Sequence, residues 1–275
     1  MQTMERPSVA PVHPSRRPAP WPVEFYRSAI GKKWVMALTG IGLMGYVFFH
    51  MLGNLKLYLG AEEFNHYAEF LRELLVPILP RTVILWLLRI GLTAAFVFHI
   101  HAAASLTLMN RRARAGKQYV SKRDYKAASA ASRSMRLTGV VILLFVFFHL
   151  ADLTWGTLNP DFKRGDVYRN LVASFERPAV AAVYIVANVA LGFHLFHGSW
   201  SMFQSLGLNN PRWNSWRRSF AIGFAGLVAV ANISFPVAVL TGFVSADNNQ
   251  DCKVKGDKIE TCELYADDAK GGDNT

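Results

Sequence analysis

The sequence predicts an all-α integral membrane protein with five transmembrane helices, four of them forming a bundle and one standing as an extra helix. About half of the 275 residues are apolar. They are gathered into runs at about 34–58, 82–109, 137–158, 178–206 and 219–245. Each run reaches the roughly 20 residues that an α-helix needs to cross a bilayer. About thirty mostly polar residues precede the first run, which does not fit a cleaved signal peptide.

Basic residues indicate the orientation of these helices. The formal net charge is +11, and the connection 111–136 holds nine Lys or Arg opposed only by Asp124. Further basic residues precede the first and last runs. By the positive-inside rule these segments face the cytoplasm, so the N-terminus is predicted inside and the C-terminus outside. This distribution favours membrane topology, with or without a docking role, over binding of nucleic acid.

Composition divides the chain into three segments. Residues 1–23 are rich in Pro, Arg and Ala and are predicted to be a disordered cytoplasmic segment. Residues 24–245 form the predicted five-helix membrane domain, and residues 246–275 form an acidic external tail. The two cysteines, Cys252 and Cys262, lie in that tail. An oxidising compartment would permit a disulfide between them, and the sequence leaves this bond open.

A histidine repeat carries the main functional signal. The segment Val-Phe-Phe-His at 47–50 returns as 146–149, and each copy ends ten residues after the glycine of a Thr-Gly pair. A second pair of runs carries Phe-His, at 98–99 and 193–194. Four predicted membrane helices therefore each bring one histidine, in the order A, B, A, B.

The four histidines fall at two predicted depths. Counted from the outer helix ends, His50 and His149 lie about 9–15 Å deep, and His99 and His194 about 25–27 Å deep. We name them the outer pair and the inner pair. Two histidines at one level on separate helices suit bis-imidazole ligation of a haem iron. Zinc more often takes four ligands, and a proton relay would need more acidic residues. The sequence thus predicts two stacked b haems. The alternative is that the histidines only make packing contacts between helices.

Two neighbouring histidines complicate the ligand choice. His101 lies about 200° around its helix from His99, so only one of them can face the bundle, and the Phe-His match favours His99. His197 lies about 60° from His194 and is an alternative ligand, although a small residue four positions after the histidine favours His194. Haem propionates also need cations. The candidates are Arg89, Arg136 and Lys33.

These motifs together resemble a known family. The matching residues are His50 with Asn54 and Gly60-Ala61-Glu62, Phe98-His99, Arg136-x-Thr138-Gly139 with His149 and Asp152, and His194-x-x-x-Gly198-x-Trp200. Over about 24–245 the chain resembles the single-chain di-haem cytochrome b anchor of succinate:quinone oxidoreductases and fumarate reductases. The resemblance implies a bacterial plasma membrane, a flavoprotein subunit that oxidises succinate, and an iron–sulfur subunit that passes electrons on. The inner haem would receive them and the outer haem would follow, with menaquinone or ubiquinone reduced at the end.

The chain itself carries no dinucleotide fingerprint and no cysteine cluster for iron–sulfur, so partner subunits must supply both. The family analogy allows a quinone site near the inner haem at Arg27 and Ser28. It also allows one near the outer haem, where Glu62, Glu63 or Asp152 would handle protons. Association of whole complexes into a higher oligomer is left open. Rival interpretations are a cytochrome b anchor of a hydrogenase or formate dehydrogenase, and a haem-free membrane transporter or scaffold.

Overall fold

The computed structural model describes residues 19–113, 130–208, 210–246, 250–255 and 258–264. Five of its helices are long and apolar enough to cross a membrane. They span Ala29–Leu59, Val83–Ala113, Ser134–Thr154, Pro178–Ser205 and Asn214–Leu240. The prediction of an all-α membrane fold with five spanning helices is confirmed. Most of the basic connection 111–136 lies outside the described residues.

Eight α-helices make up the described part of the membrane domain. They are α1 (Trp21–Arg27), α2 (Ala29–Asn54), α3 (Ala61–Arg72), α4 (Val83–Ala113), α5 (Ala130–His149), α6 (Val167–Phe175), α7 (Pro178–Ser205) and α8 (Asn214–Leu240). Short 3₁₀ turns at Leu55–Leu59 and Pro211–Trp213 follow α2 and precede α8. A π-helical turn, Leu150–Thr154, continues α5.

Local sequence explains where α2 begins and where its continuation ends. Ser28 caps its N-terminus, because its Oγ accepts a hydrogen bond of 2.9 Å from the Gly31 N–H. The 3₁₀ turn that follows α2 ends at Leu59, and the φ of 99° at the next residue, Gly60, suits a residue without a Cβ. The chain therefore reverses there and enters α3 at the outer end of the bundle.

The spanning helices pack as two separate pairs with α8 against one of them. α2 packs closely along α4, α5 along α7, and α7 along α8, whereas α2 with α5 and α4 with α7 make few close backbone contacts. Met51, Leu195 and Val228 join α2, α7 and α8 in one buried cluster. The extra helix therefore supports the bundle without contributing a histidine.

The outer end of the bundle is covered by a second buried cluster. It is built from Leu57, Phe64, Leu171, Val172 and Phe175, with Tyr184 and Phe235 from the spanning helices. Asn65 of α3 ties this layer together, because its side chain donates to Asp166 at 3.1 Å and accepts from the Tyr168 N–H at 3.0 Å. At the opposite end, which we call the inner end, the described chain adds only α1 and the short turn before α8.

Two predicted boundaries need correction. α1 begins at Trp21, so the segment predicted as disordered over 1–23 overlaps a helix, and residues 1–18 lie outside the described part of the chain. Pro22 in the first turn and stacking of Trp21 on Phe25 favour that early start. The last helix runs five residues nearer the N-terminus than predicted, and it therefore includes the buried Arg217.

Arg217 is tolerated because its charge has specific partners. Its guanidinium lies 4.9 Å from the centre of the Trp200 ring and donates to Asn214 Oδ1 at 2.9 Å.

The tail contains an antiparallel hairpin, β1 (Gln250–Lys255) and β2 (Lys258–Leu264). Its register sets Cys252 opposite Cys262, and the disulfide between them stays a prediction.

Candidate functional site

The two helix pairs face each other through their histidines. His50 of α2 meets His149 of α5 with ring centres 5.9 Å apart and planes at 89°. His99 of α4 meets His194 of α7 with ring centres 6.5 Å apart and planes at 62°. The A histidines therefore pair with each other, and so do the B histidines.

These separations are those of two ligands on one metal ion. A bond from metal to imidazole nitrogen is about 2 Å long, so two imidazoles on opposite sides of one ion place their ring centres about 6 Å apart. Among the described residues, no three His, Cys, Asp or Glu side chains come close enough together to hold a bare ion. Each level thus presents two imidazole side chains, the number that a bis-imidazole haem iron takes from a protein.

The inner pair is oriented by the Thr-Gly motif of the neighbouring helix. His99 Nδ1 lies 3.1 Å from the Met36 carbonyl oxygen and 3.3 Å from Thr39 Oγ1. A Cβ added at Gly40 would contact His99 Cε1 at 3.4 Å, so the glycine lets the backbone of α2 approach the ring edge. The motif on α2 therefore serves the histidine of α4, not the histidine that follows it on its own helix.

These contacts fix the tautomer of His99. A carbonyl oxygen only accepts, so His99 Nδ1 must carry the proton that it donates to Met36. Thr39 gives its own hydroxyl proton to the Val35 carbonyl at 2.7 Å, which leaves its lone pairs for the same N–H. With the proton on Nδ1, the Nε2 lone pair is free for a ligand bond.

The second half of the repeat reproduces this arrangement. Thr138 Oγ1 lies 3.3 Å from His194 Nδ1 and donates to the carbonyls of its own helix, including Met135 at 3.1 Å. The Met135 backbone also hydrogen-bonds His194. A Cβ at Gly139 would contact His194 Cε1 at 3.5 Å. The longer repeat Met-x-Leu-Thr-Gly, at 36–40 and 135–139, is the sequence signal for these contacts, which the pattern of Thr-Gly alone did not reveal.

His149 has a different partner. Its Nδ1 lies 3.3 Å from the hydroxyl of Tyr184 on α7, and that hydroxyl donates to Asp152 Oδ2 at 3.0 Å. Ser174 also donates to Oδ2, and Arg177 Nη2 lies 2.6 Å from Oδ1. Asp152 is fully buried within the π-helical turn that follows His149. The sequence pattern indicates Asp152 but not its three partners, because they lie beyond a loop, on α6, at the N-cap of α7 and within α7.

His50 is stacked on an aromatic ring of its own helix. Tyr46 lies one turn earlier, with ring centres 5.4 Å apart and planes at 15°. Arg89 lies close enough to Tyr46 for its charge to act on the tyrosine hydroxyl. Its guanidinium lies 5.1 Å from the Trp86 ring centre. Arg89 is therefore at the level of the outer pair, ten residues outward of His99.

The other predicted cations differ in their surroundings. Lys33 is exposed and lines a pocket of about 420 Å³ with Ile30, Ser201, Gln204 and Ser205 at the inner end. Arg136 is exposed near the start of the third spanning helix. The buried lysine is Lys32, not Lys33. Burial of its charge is tolerated because Lys32 Nζ donates to the Tyr26 carbonyl at 2.9 Å and lies over the Tyr26 ring.

The residues predicted for quinone sites are not gathered into one enclosed cavity. Arg27 is exposed, and the Ser28 hydroxyl is engaged in capping α2 while it donates to the Phe25 carbonyl at 2.6 Å. Glu62 and Glu63 are exposed on α3, with Glu63 paired to Lys56 at 3.1 Å.

The two additional histidines lie away from the facing rings. His101 hydrogen-bonds to the Tyr26 hydroxyl at 2.5 Å and stacks on that ring. His197 is partly exposed one turn inward of His194. The side chains that approach each other across the bundle at the inner level are therefore those of His99 and His194.

Fold and site together define a multi-pass helical membrane protein whose spanning helices present two facing imidazole pairs. Residues 109–233 match the family described as succinate dehydrogenase/fumarate reductase transmembrane subunit. The match covers a little under half of the chain, and it includes His149 and His194. The predicted resemblance to the membrane anchors of this family is thereby confirmed. No curated protein and no solved structure matches the chain.

Proposed function

We propose that this chain is the membrane anchor and electron-transfer subunit of a succinate dehydrogenase. In this proposal it holds one b haem between His50 and His149 and a second between His99 and His194, and it delivers electrons from an iron–sulfur subunit to a quinone. The observation that carries the proposal is the pair of ring separations, 5.9 and 6.5 Å, on helices that are otherwise set apart. The family match supports the anchor role.

The residues fit bis-imidazole ligation by their hydrogen bonds as well as by distance. His99 and His194 donate through Nδ1 to backbone carbonyls and threonines, which leaves Nε2 for the metal. Bound haem would supply one-electron transfer at each level, and the levels differ in depth by about 10–18 Å on the helical rise. The protein's own part is to orient the four imidazoles and to keep their surroundings apolar.

Cations at the haem levels would balance the propionates. Arg89 lies at the outer level and is the candidate there. Lys33 and Arg136 stand toward the inner end, on the first and third spanning helices. All three are exposed in the chain, so their side chains are free to turn toward a carboxylate.

Partner subunits are expected at the inner end. The basic connection and the basic residues around the starts of α2 and α8 belong to that end of the helices, whereas the outer end is closed by α3 and α6. Succinate oxidation would then take place on a flavoprotein subunit outside the membrane, and this chain would be a subunit without the catalytic headpiece. The positive-inside rule supports an N-terminus in the cytoplasm and a C-terminus outside, and the family resemblance is the support for a bacterial plasma membrane.

The quinone would bind at one end of the haem pair. The inner pocket is lined by Lys33, Ser201, Gln204 and Ser205 and by Ile30, which follows Arg27 and Ser28 closely in the chain, and this supports an inner site. Glu62 and Glu63 are accessible for proton handling at an outer site. Asp152 accepts hydrogen bonds from three side chains and is fully buried, so its contacts support a positioning role instead.

The proposal is tested by purifying the chain with its natural partners from membranes. We expect a flavin-bearing subunit and an iron–sulfur subunit of succinate dehydrogenase type, and a reduced-minus-oxidised spectrum with two b haems per chain. Partners of hydrogenase or formate dehydrogenase type would overturn the succinate assignment and keep the haem site. Absence of b-type bands from a folded complex would overturn electron transfer and favour a transporter or scaffold.

A further inference from the structure

The two halves of the repeat diverge around the outer pair. Tyr184 lies ten residues before His194, at the position that Arg89 occupies before His99. Asp152 lies three residues after His149, at the position that Gly53 occupies after His50. The second half of the repeat therefore has a tyrosine and a carboxylate at the positions where the first half has an arginine and a glycine.

The hydroxyl of Tyr184 is held in place from several sides. Its ring packs edge-on against Phe145 and Phe175, with ring centres 5.0 and 4.8 Å away, and it is 4% exposed. The hydroxyl bridges His149 Nδ1 and Asp152 Oδ2 at 3.3 and 3.0 Å. Asp152 is in turn fixed by Ser174 and Arg177. The tyrosine has no freedom to reorient without breaking a buried network.

The direction of each hydrogen bond follows from the charges. Asp152 is paired with the Arg177 guanidinium at 2.6 Å, so it is an ionised carboxylate that only accepts. Tyr184 must therefore give its only proton to Asp152, and its oxygen lone pairs face His149. His149 must then donate through Nδ1, which leaves Nε2 as the ligand atom.

The hydrogen bond that His149 donates to the Tyr184 oxygen changes how strongly its imidazole donates electrons to a metal. A hydroxyl that already donates to a carboxylate is a polarised and stronger acceptor, because successive hydrogen bonds strengthen one another. Hydrogen bonding from Nδ1–H makes a metal-bound imidazole a stronger electron donor. A stronger donor stabilises the oxidised iron relative to the reduced iron, so the reduction potential of that haem falls.

Resting on the proposed function, we infer that Tyr184 is a positioning residue of the outer haem site. Held by Asp152, Ser174 and Arg177, it sets the tautomer of His149 and lowers the reduction potential of the haem at the outer pair. The inner pair has the neutral acceptors Met36, Thr39 and Thr138 in the same role. The two haem sites would then have the same histidine ligands and would differ in the groups that hydrogen-bond to those histidines.

The test is a redox titration of the purified complex, followed in the b-haem absorption bands, for the wild type and Tyr184→Phe. We expect the wild type and Tyr184→Phe each to hold two haems. In Tyr184→Phe the reduction potential of one haem should rise, and that of the other haem should stay within error of the wild type. The low-spin electron paramagnetic resonance signal of the haem whose potential rises should shift. Tyr168→Phe is the matched control, because it removes another buried hydroxyl, bonded to the Ser245 carbonyl at 3.1 Å, and should move neither potential.

Further outcomes of this titration also decide the inference. If Tyr184→Phe loses the outer haem and keeps the inner one, the positioning role stands, and Asp152→Asn then tests the potential, which should rise in the same haem by a smaller amount. Unchanged potentials with both haems bound, equal shifts of both, or a lowered potential would overturn the inference. A wild type without haem would instead end the proposed function, so the two failures are distinguishable.

Discussion

α2 with α4 forms one half of the repeat, and α5 with α7 forms the other. In each half, the Met-x-Leu-Thr-Gly segment of the first helix lies against the B histidine of the second helix. The distance from Thr Oγ1 to His Nδ1 is 3.3 Å in both halves. The halves differ at the A histidines, where His149 has a buried chain of hydrogen bonds to Asp152 and His50 has stacking on Tyr46. The inner pair is thus symmetric in its surroundings and the outer pair is not. The repeated motif accounts for the matching contacts of the inner pair, and single-residue differences between the halves account for the different contacts of the outer pair.

The largest expected effect concerns the ligands of the inner pair. His194→Ala should remove one of two haems, because no second imidazole then faces His99. His197→Ala, on the same helix, should keep both, since that ring does not approach His99 across the bundle. The haem-to-protein ratio from pyridine haemochrome spectra measures this. Loss of haem from the His197 variant alone would place the ligand one turn away from our assignment.

The next effect tests the asymmetry of the outer pair. Asp152→Ala leaves the buried hydroxyls of Tyr184 and Ser174 and part of the Arg177 guanidinium without an acceptor. Each buried group left unpaired costs about 1–3 kcal/mol, so we expect a loss of stability of several kcal/mol. Thermal unfolding in detergent measures it.

Gly53→Ala, at the matching position of the other half, is a poor control, because a Cβ there would lie 2.7 Å from the Tyr67 ring. Glu63→Gln is the better one. It removes a carboxylate from an exposed ion pair with Lys56, which is worth roughly 0–1 kcal/mol. An equal loss of stability in the two variants would contradict the structural role assigned to Asp152.

A smaller effect tests the symmetry of the inner pair. Thr39→Val and Thr138→Val each remove one of two acceptors for a ligand N–H, and the carbonyls of Met36 and Met135 remain. We expect the affinity for the inner haem to fall by roughly tenfold or less in each variant, with the outer haem unaffected. Haem dissociation to an acceptor protein measures this. Unequal effects of the two substitutions would break the symmetry that the repeat implies.

The smallest effect is expected at Tyr46. Tyr46→Phe makes the first half resemble the second, which has Phe145 at the matching position, and it preserves a ring for stacking on His50. Both haem potentials and the unfolding temperature should stay close to wild type, with a change in stability below about 0.5 kcal/mol. A large shift in the outer potential would show that the Tyr46 hydroxyl also acts on the outer site.

The fold was predictable because its physical cause is local. Runs of apolar residues longer than a bilayer span determine the five helices, and the periodic histidines indicate which faces meet. The start of α8 was predicted too late because Arg217 looks like a loop residue. Its burial depends on Trp200 and Asn214, which come close only when α7 and α8 pack.

The partners of the histidines were harder to predict. Thr39 and Thr138 are visible as a repeat, but their target is the histidine of the neighbouring helix, sixty and fifty-six residues away. Tyr184 lies in an apolar run that gives no sign of a buried carboxylate. Its role depends on the π-helical turn at Leu150–Thr154 and on α6, and neither has a sequence signal comparable to a spanning helix.

The central claim is that two imidazole pairs at different levels each hold one haem. The most direct measurement is the haem count per chain in the wild-type complex and in the His149→Ala and His99→Ala variants, with the potential of each remaining haem. We predict two haems in the wild type and one in each variant. We also predict that the haem kept by His149→Ala is the one lost from His99→Ala. Loss of the same haem from both variants, or a wild-type complex with fewer than two, would contradict the claim.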